Sequence, residues 1–306
     1  MKIVLMNDSH LEEIIEIDFM VFEREEPRTV SNLKGLREKD PEGCYVLLED
    51  DVLVGYSFAK TMGQEGFLGP LGLHPSHHGQ GWGKKLIKHS LDYLKRQCKV
   101  IGLEVRPDIG DNVGLYHKLG FHSSYPSLIL EVPKMFQCNK EISSPNASEN
   151  ESKSYDIELF SELSADRKKL FLNKIEIWTK QNLSGLSFKN DLDLINHGGG
   201  DIIISQDNGL LGVFAHYPVV FPQLWGVIKA DNCQKEILMA GLNFYRENNP
   251  QSEFLISVNS RYNDLVDLLI EEGCKVIKSV NRMLLDGFEG EYNEKSPDFV
   301  MRAWHA

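Results

Sequence analysis

Residues 74–85 read HPSHHGQGWGKK. Gly79, Gly81 and Gly83 fall at every second position, with histidines before them and lysines after. Directly behind comes a run in which Leu86, Ile87, Ser90, Leu91, Tyr93 and Leu94 recur at helical spacing. In front lies FLGPLGLHP, residues 67–75, which reads as a strand. Glycines at the mouth of a helix let backbone N–H groups come close to a ligand. The helix N-terminus adds unpaired donors and the positive end of a dipole, which together suit a phosphate. The loop is not GxxxxGK[ST], and it lacks the spacing of GxGxxG with its later acidic partner. By spacing alone it is a generic anion cradle.

The chain has 306 residues, more than one hydrophobic core usually serves, so two domains are expected. Hydrophobic residues make up 42% and charged residues 25%, which fits a globular protein rather than a disordered one. Net charge is −12 with no basic run, which argues against a nucleic-acid partner, since phosphate contacts need clustered Lys and Arg. The five cysteines are scattered without a CxxC pair, so neither a disulfide framework nor a zinc knuckle is expected. No metal is expected either, because His74, His77 and His78 sit on a glycine loop with no carboxylate evident beside them. MKIVLMNDSHLEE does not read as a signal peptide and no apolar stretch reaches spanning length. A cytoplasmic protein without a membrane partner is the expectation.

QCNKEISSPNASENESKS, residues 137–154, is nearly free of large apolar residues and reads as a linker. Either side of it the chain repeats one plan. EDDVLVGYSFA (49–59) is matched by QDNGLLGVFA (206–215), LIKHSLDYL (86–94) by ILMAGLNFY (237–245), VIGLEV (100–105) by FLISV (254–258), and LYHKLGF (115–121) by LLIEEGC (268–274). Features that recur in one order point to an internal repeat. Gly55 and Gly212 are 157 residues apart, but Leu86 and Ile237 only 151. The six-residue deficit falls where the first copy has its glycine loop and the second has VIKADNCQKE (227–236). Each copy is expected to be a mixed α/β layer with helices on both faces of a central sheet. The expected division is 1–136, a linker at 137–154, and 155–306.

LGPLGLHPSHHGQGWGKKLIKHSLDYL followed by IGLEVRPDIGDNVGLYHKLGF resembles the GNAT family of acetyl-CoA-dependent N-acetyltransferases. The family loop, Arg/Gln-x-x-Gly-x-Gly/Ala, falls on His78, Gly79, Gln80, Gly81, Trp82 and Gly83, so His78 departs from the usual first residue. Ile109 stands where many members have Asn, with Asn112 one helical turn on. The resemblance implies two tandem GNAT-like domains, the first active and the second degenerate, transferring an acetyl group to a primary amine of a small molecule or peptide. It implies that His78 to Lys84 and Asn112 bind acetyl-CoA, and that Leu71 and Leu73 pair with its pantetheine arm. Tyr116 falls where such enzymes hold a general acid, and Leu269 is its counterpart in the second copy. Glu104, on the strand beside the expected thioester, is a candidate base; Glu65 and the acidic residues of 22–28 are others. The alternative is a CoA-binding sensor without turnover. Either would be a monomer or homodimer.

Overall fold

The computed structural model describes residues 1–22, 27–133, 157–182, 185–187, 202–207, 210–217, 223–229, 254–290 and 299–301, with positions 239, 242, 243, 246 and 247. The linker, Glu23, Glu25 and Glu26, and residues 230–236 of VIKADNCQKE lie outside them.

The first half opens with β1 (Lys2–Leu5), α1 (Leu11–Phe22) and α2 (Val30–Lys39). An antiparallel meander follows, β2 (Tyr45–Glu49), β3 (Val52–Met62) and β4 (Glu65–Leu73). Its first turn places Asp50 and Asp51 at φ 48° and 66°, the left-handed pair that a tight hairpin requires. The chain then runs through α3 (Trp82–Leu94), β5 (Val100–Val105), α4 (Gly110–Lys118), β6 (Phe121–Ser123) and β7 (Ser127–Val132). Helix α3 buries Leu86, Ile87, Ser90, Leu91, Tyr93 and Leu94, the residues whose spacing marked it. They join Ile101, Leu103 and Phe121 in a core on one face of the sheet. The opposite core holds Leu11, Ile14 and Ile17 of α1, Leu33 of α2, and Tyr56 and Phe58 of β3. Asp40 ties these layers together: it accepts from the Tyr93 hydroxyl at 2.5 Å and from the Thr61 N–H and hydroxyl at 2.8 Å.

The second half contains β8 (Ile157–Leu159), α5 (Ala165–Asn182), β9 (Ile202–Asp207), β10 (Leu210–Tyr217), β11 (Gln223–Lys229), β12 (Phe254–Asn259), α6 (Asn263–Glu271), β13 (Lys275–Glu289) and β14 (Phe299–Met301). Strands β8 to β11 repeat the antiparallel run β1 to β4, and β12 lies parallel to β11 as β5 does to β4. The mixed α/β fold with helices on both faces is therefore present.

The sheet does not divide where the chain does. Its order is β1-β2-β3-β4-β5-β13-β7-β12-β14-β11-β10-β9-β8. Strand β7, from the first half, pairs with β12 along Phe254↔Val132 to Asn259↔Ser127. Strand β13, from the second, pairs with β5 and β6 through its later residues and with β7 through its earlier ones. Each half thus receives a strand from the other. Apolar alternation specifies the face a residue occupies, not the strand its backbone bonds, so the exchange was invisible in the pattern. The two halves that the sequence repeat distinguishes are thus interlocked in space. A further contact seats the turn after β3 on the second half: Gln64 N–H donates to the Gly185 carbonyl and Ser187 N–H to that of Met62, each at 2.9 Å.

Candidate active site

The loop expected to cradle an anion does open a helix. Gly79 and Gly81 have φ of 73° and 82°, where a side chain is strained, and a Cβ at either would meet nothing within 4 Å. Gly81 is the N-cap of α3 and supplies no side-chain cap. Lys85 N–H is the first to find a partner, the Gly81 carbonyl at 3.2 Å. Among the described residues, none of the N–H groups of 79 to 84 donates a hydrogen bond. Six consecutive donors at the positive end of a thirteen-residue helix form an anion nest.

The side chains of the loop are engaged elsewhere. The His78 imidazole reaches back to the Leu73 carbonyl, Nε2 to O 2.9 Å, and Gln80 donates to the Ser76 carbonyl at 3.0 Å. Trp82 packs on the core with Lys85 Nζ 3.9 Å from its ring centre, and Lys84 is exposed. The carboxylate missing from the histidine group in the sequence is supplied by Glu49, whose Oε2 lies 3.0 Å from His77 Nε2. Ser76 links His77 to His74 by 2.8 and 2.7 Å contacts, while His78 turns away. Among the described residues no group of three or more His, Cys, Asp or Glu is placed to hold a metal ion.

Strands β4 and β5 pair in parallel only from Glu65↔Val100 to Phe67↔Gly102, and then part. The cause is in β4. Two residues, Gly69 and Pro70, stand opposite the single Phe58 of β3, a bulge that bends the strand. Leu71 and Leu73 lie past it, still bonded to Ser57 and Gly55 on the β3 side. Their other edge faces the gap. Gly72 is obligatory between them, because a Cβ there would come within 2.6 Å of the Tyr56 ring. That ring is fully buried, and its hydroxyl donates to Asp18 of α1.

Tyr116 and Glu104 lie on opposite faces of the sheet. Tyr116, on α4, packs against the α3-side core, with its ring 5.9 Å from that of Phe121. Burial pushes its phenol up to about 12, so it stays protonated at neutral pH. Its hydroxyl makes no hydrogen bond with a described residue. Glu104 alternates with Leu103 and Val105, which face α3, and so lies on the α1 side. The Ser127 hydroxyl donates to its Oε1 at 2.6 Å. Arg282 of β13 stands directly opposite it in the ladder. Neither Ser127 nor Arg282 was a candidate in the sequence, since both come from the exchanged strands and no local motif marks them. Asn112 is exposed in the first turn of α4. Glu65 is buried at the start of β4, where the strands are still paired.

The second half has a corresponding gap, filled. Strands β11 and β12 pair at Gln223↔Leu255 and Leu224↔Ile256. Beyond them β14 enters, bonding β11 from Gly226↔Met301 to Ile228↔Phe299 and β12 at Val258↔Met301. Leu269, the counterpart of Tyr116, is wholly buried in α6.

Residues 9–121 match the acetyltransferase (GNAT) family. Residues 9–121 are a GNAT domain. The whole chain also resembles solved GNAT structures. A Pyrococcus horikoshii protein assigned to the acetyltransferases is 16% identical with a TM-score of 0.67, and the match covers 96% of this chain and 95% of that one. A GCN5-related N-acetyltransferase from Sphaerobacter thermophilus is 10% identical at 0.58, covering 96% and 98%. A tandem GNAT protein from the clavulanic acid biosynthesis pathway is 11% identical at 0.57, covering 95% and 99%. At these identities the likeness establishes the fold. No curated protein matches the chain. The family binds acetyl-CoA, and the six open N–H groups of the GNAT domain fit a pyrophosphate. Among the described residues no helix is long and apolar enough to cross a membrane.

Proposed function

We propose that the chain is an acetyl-CoA-dependent N-acetyltransferase with one active site, in the GNAT domain, acting on a primary amine. The observation that carries this is the gap between β4 and β5 with an open run of N–H donors where β4 leads into α3. The N–H groups of 79 to 84 hold the pyrophosphate of the cosubstrate, and the free edge of Leu71 to Leu73 pairs with its pantetheine amides. Glu104 takes the proton of the incoming ammonium as the amine nitrogen attacks the thioester carbon. A strand N–H stabilises the oxyanion of the tetrahedral intermediate. As the C–S bond breaks, Tyr116 gives its proton to the departing thiolate. The amine enters from the α1 side and the thiol is protonated from the α4 side, which is why the two groups lie on opposite faces. Residues 155–306 form a degenerate copy that keeps the topology without a cofactor site.

Release of free thiol from acetyl-CoA on addition of an amine panel tests this directly. Tyr116→Phe should lower kcat by roughly 10²-fold, the scale of one lost acid catalyst, and leave CoA affinity unchanged. Thiol release that ignores every amine, or equal rates for Tyr116→Phe and the parent, would remove the transferase reading and favour a CoA sensor.

A further inference from the structure

Strand β13 brings one charged residue of the second half into the acceptor side of the first. Its ladder with β5 runs Asn281↔Val105, Arg282↔Glu104, Met283↔Leu103 and Leu284↔Gly102. Met283 joins the α3-side core with Leu103, so Arg282 and Glu104 share the other face. Residues directly opposed in an antiparallel pair have Cβ atoms roughly 4.5–5.5 Å apart. Both are half-buried, and both backbones are fixed: Ser124 N–H donates to the Arg282 carbonyl at 2.8 Å, and β5 is held between β4 and β13. Ser127, itself fully buried on the exchanged β7, anchors the carboxylate of Glu104. Glu104 follows Gly102, the last residue paired with β4, by two positions, so this anion and cation stand where the gap begins.

We propose that the acceptor is a free α-amino acid, with Glu104 receiving its ammonium and Arg282 its carboxylate. This rests on the transferase reading above and names the substrate class of the same site. The two charges of an α-amino acid are separated by one carbon, a span that the opposed pair matches in sign and reach. A guanidinium has five N–H donors and a carboxylate about four acceptor positions, so the pair can hold one another and a zwitterion together. Arg offers two parallel bonds to a carboxylate, which fixes orientation as well as charge. A peptide N-terminus or a lysine side chain presents an amine without a carboxylate beside it and leaves Arg282 without its share of the binding. In this arrangement the second half supplies the specificity-determining residue, and the first half supplies the chemistry.

The test uses the full-length protein, with and without CoA, titrated calorimetrically with leucine, phenylalanine, glutamate and lysine and with the α-amide of each. At least one free amino acid should bind the CoA-loaded protein roughly 10²-fold more tightly than its amide, which keeps the amine but not the carboxylate. Arg282→Gln should bring acid and amide within about threefold of one another while CoA affinity stays unchanged, and Arg282→Lys should retain part of the preference. Amides that bind as well as the acids, binding of none of the acids, or an undiminished preference in Arg282→Gln would overturn the proposal. Turnover of the same compounds separates the two readings. Acids that bind selectively but are not acetylated leave Glu104 and Arg282 as an amino-acid-binding pair, overturn its role as an acceptor site and remove the transferase. Acids and amides acetylated equally leave the transferase standing and overturn this inference.

Discussion

Strands β4 and β5 part beyond Phe67 and Gly102, and β11 and β12 part beyond Leu224 and Ile256. The two gaps sit at equivalent places in two runs of equal topology. The first is left open beside six unpaired donors; in the second, β14 bonds both edges. An open strand edge is a liability unless something pairs with it. In the second half the chain itself does so. In the first, the edge beyond the bulge at Gly69 and Pro70 stays open, as the proposed cosubstrate site requires. The same scaffold therefore serves as a site or as a support, depending on what lies between two strands.

The sharpest way to break this comparison is to separate the halves. A protease site inserted between residues 137 and 154 and then cut should yield two fragments that co-elute under native conditions and part only in denaturant. Strands β7 and β13 each lie inside the other half's sheet, so separation would strip both of every strand neighbour and leave β5 and β12 with one open edge each. Fragments that elute apart without denaturant would show that the exchange is not the solution arrangement.

Next in size is the effect of Gly81→Val. The φ of 82° disfavours any branched side chain, and the open space around the position spares the core a clash. Loss of two charge-assisted hydrogen bonds at about 1.5–3 kcal/mol each should weaken CoA binding by roughly 10²-fold or more. The parent should bind one CoA per chain, since the second gap is occupied. A stoichiometry of two, or unchanged affinity in the variant, would remove the contrast between the gaps.

The smallest effect concerns the buried thiols, Cys44 and Cys98 in the first half and Cys274 in the second. Burial pushes each well above the ordinary thiol value, up to about 12. A folded-state value above the unfolded one contributes stability that is complete below the unfolded value and is lost as pH rises through the folded one. Stability should be level to about pH 9 and decline toward pH 12 in one transition, because the two halves that bury these thiols share a single interlocked sheet. Two separate transitions, or rapid alkylation of the folded protein at pH 8, would contradict it.

Much of the local structure around the candidate site was legible in the sequence. Helix α3, the tight turn at Asp50 and Asp51, the bulge near Gly69 and the glycines at φ above 70° all follow from local rules that act within a few residues. Tyr116 and Glu104 are candidates by their places in a motif and on an alternating strand. Three things were out of reach. The imidazole of His78 bonds the strand it follows rather than facing the nest. Glu49, distant in sequence, joins the histidines. Ser127 and Arg282 reach Glu104 from strands that alternation assigns to a face but to no neighbour.

By itself the sequence determined two copies of one plan and a glycine loop at a helix mouth in the first alone, because periodicity and glycine placement encode faces, turns and backbone access. Only the tertiary structure decided that the copies exchange strands, that one gap is filled by β14, and that a cation from the second half confronts the carboxylate of the first. Those are choices among backbone partners. Any two strands with compatible faces offer the same hydrogen-bonding groups, so which pair forms is settled by the packing of the whole sheet.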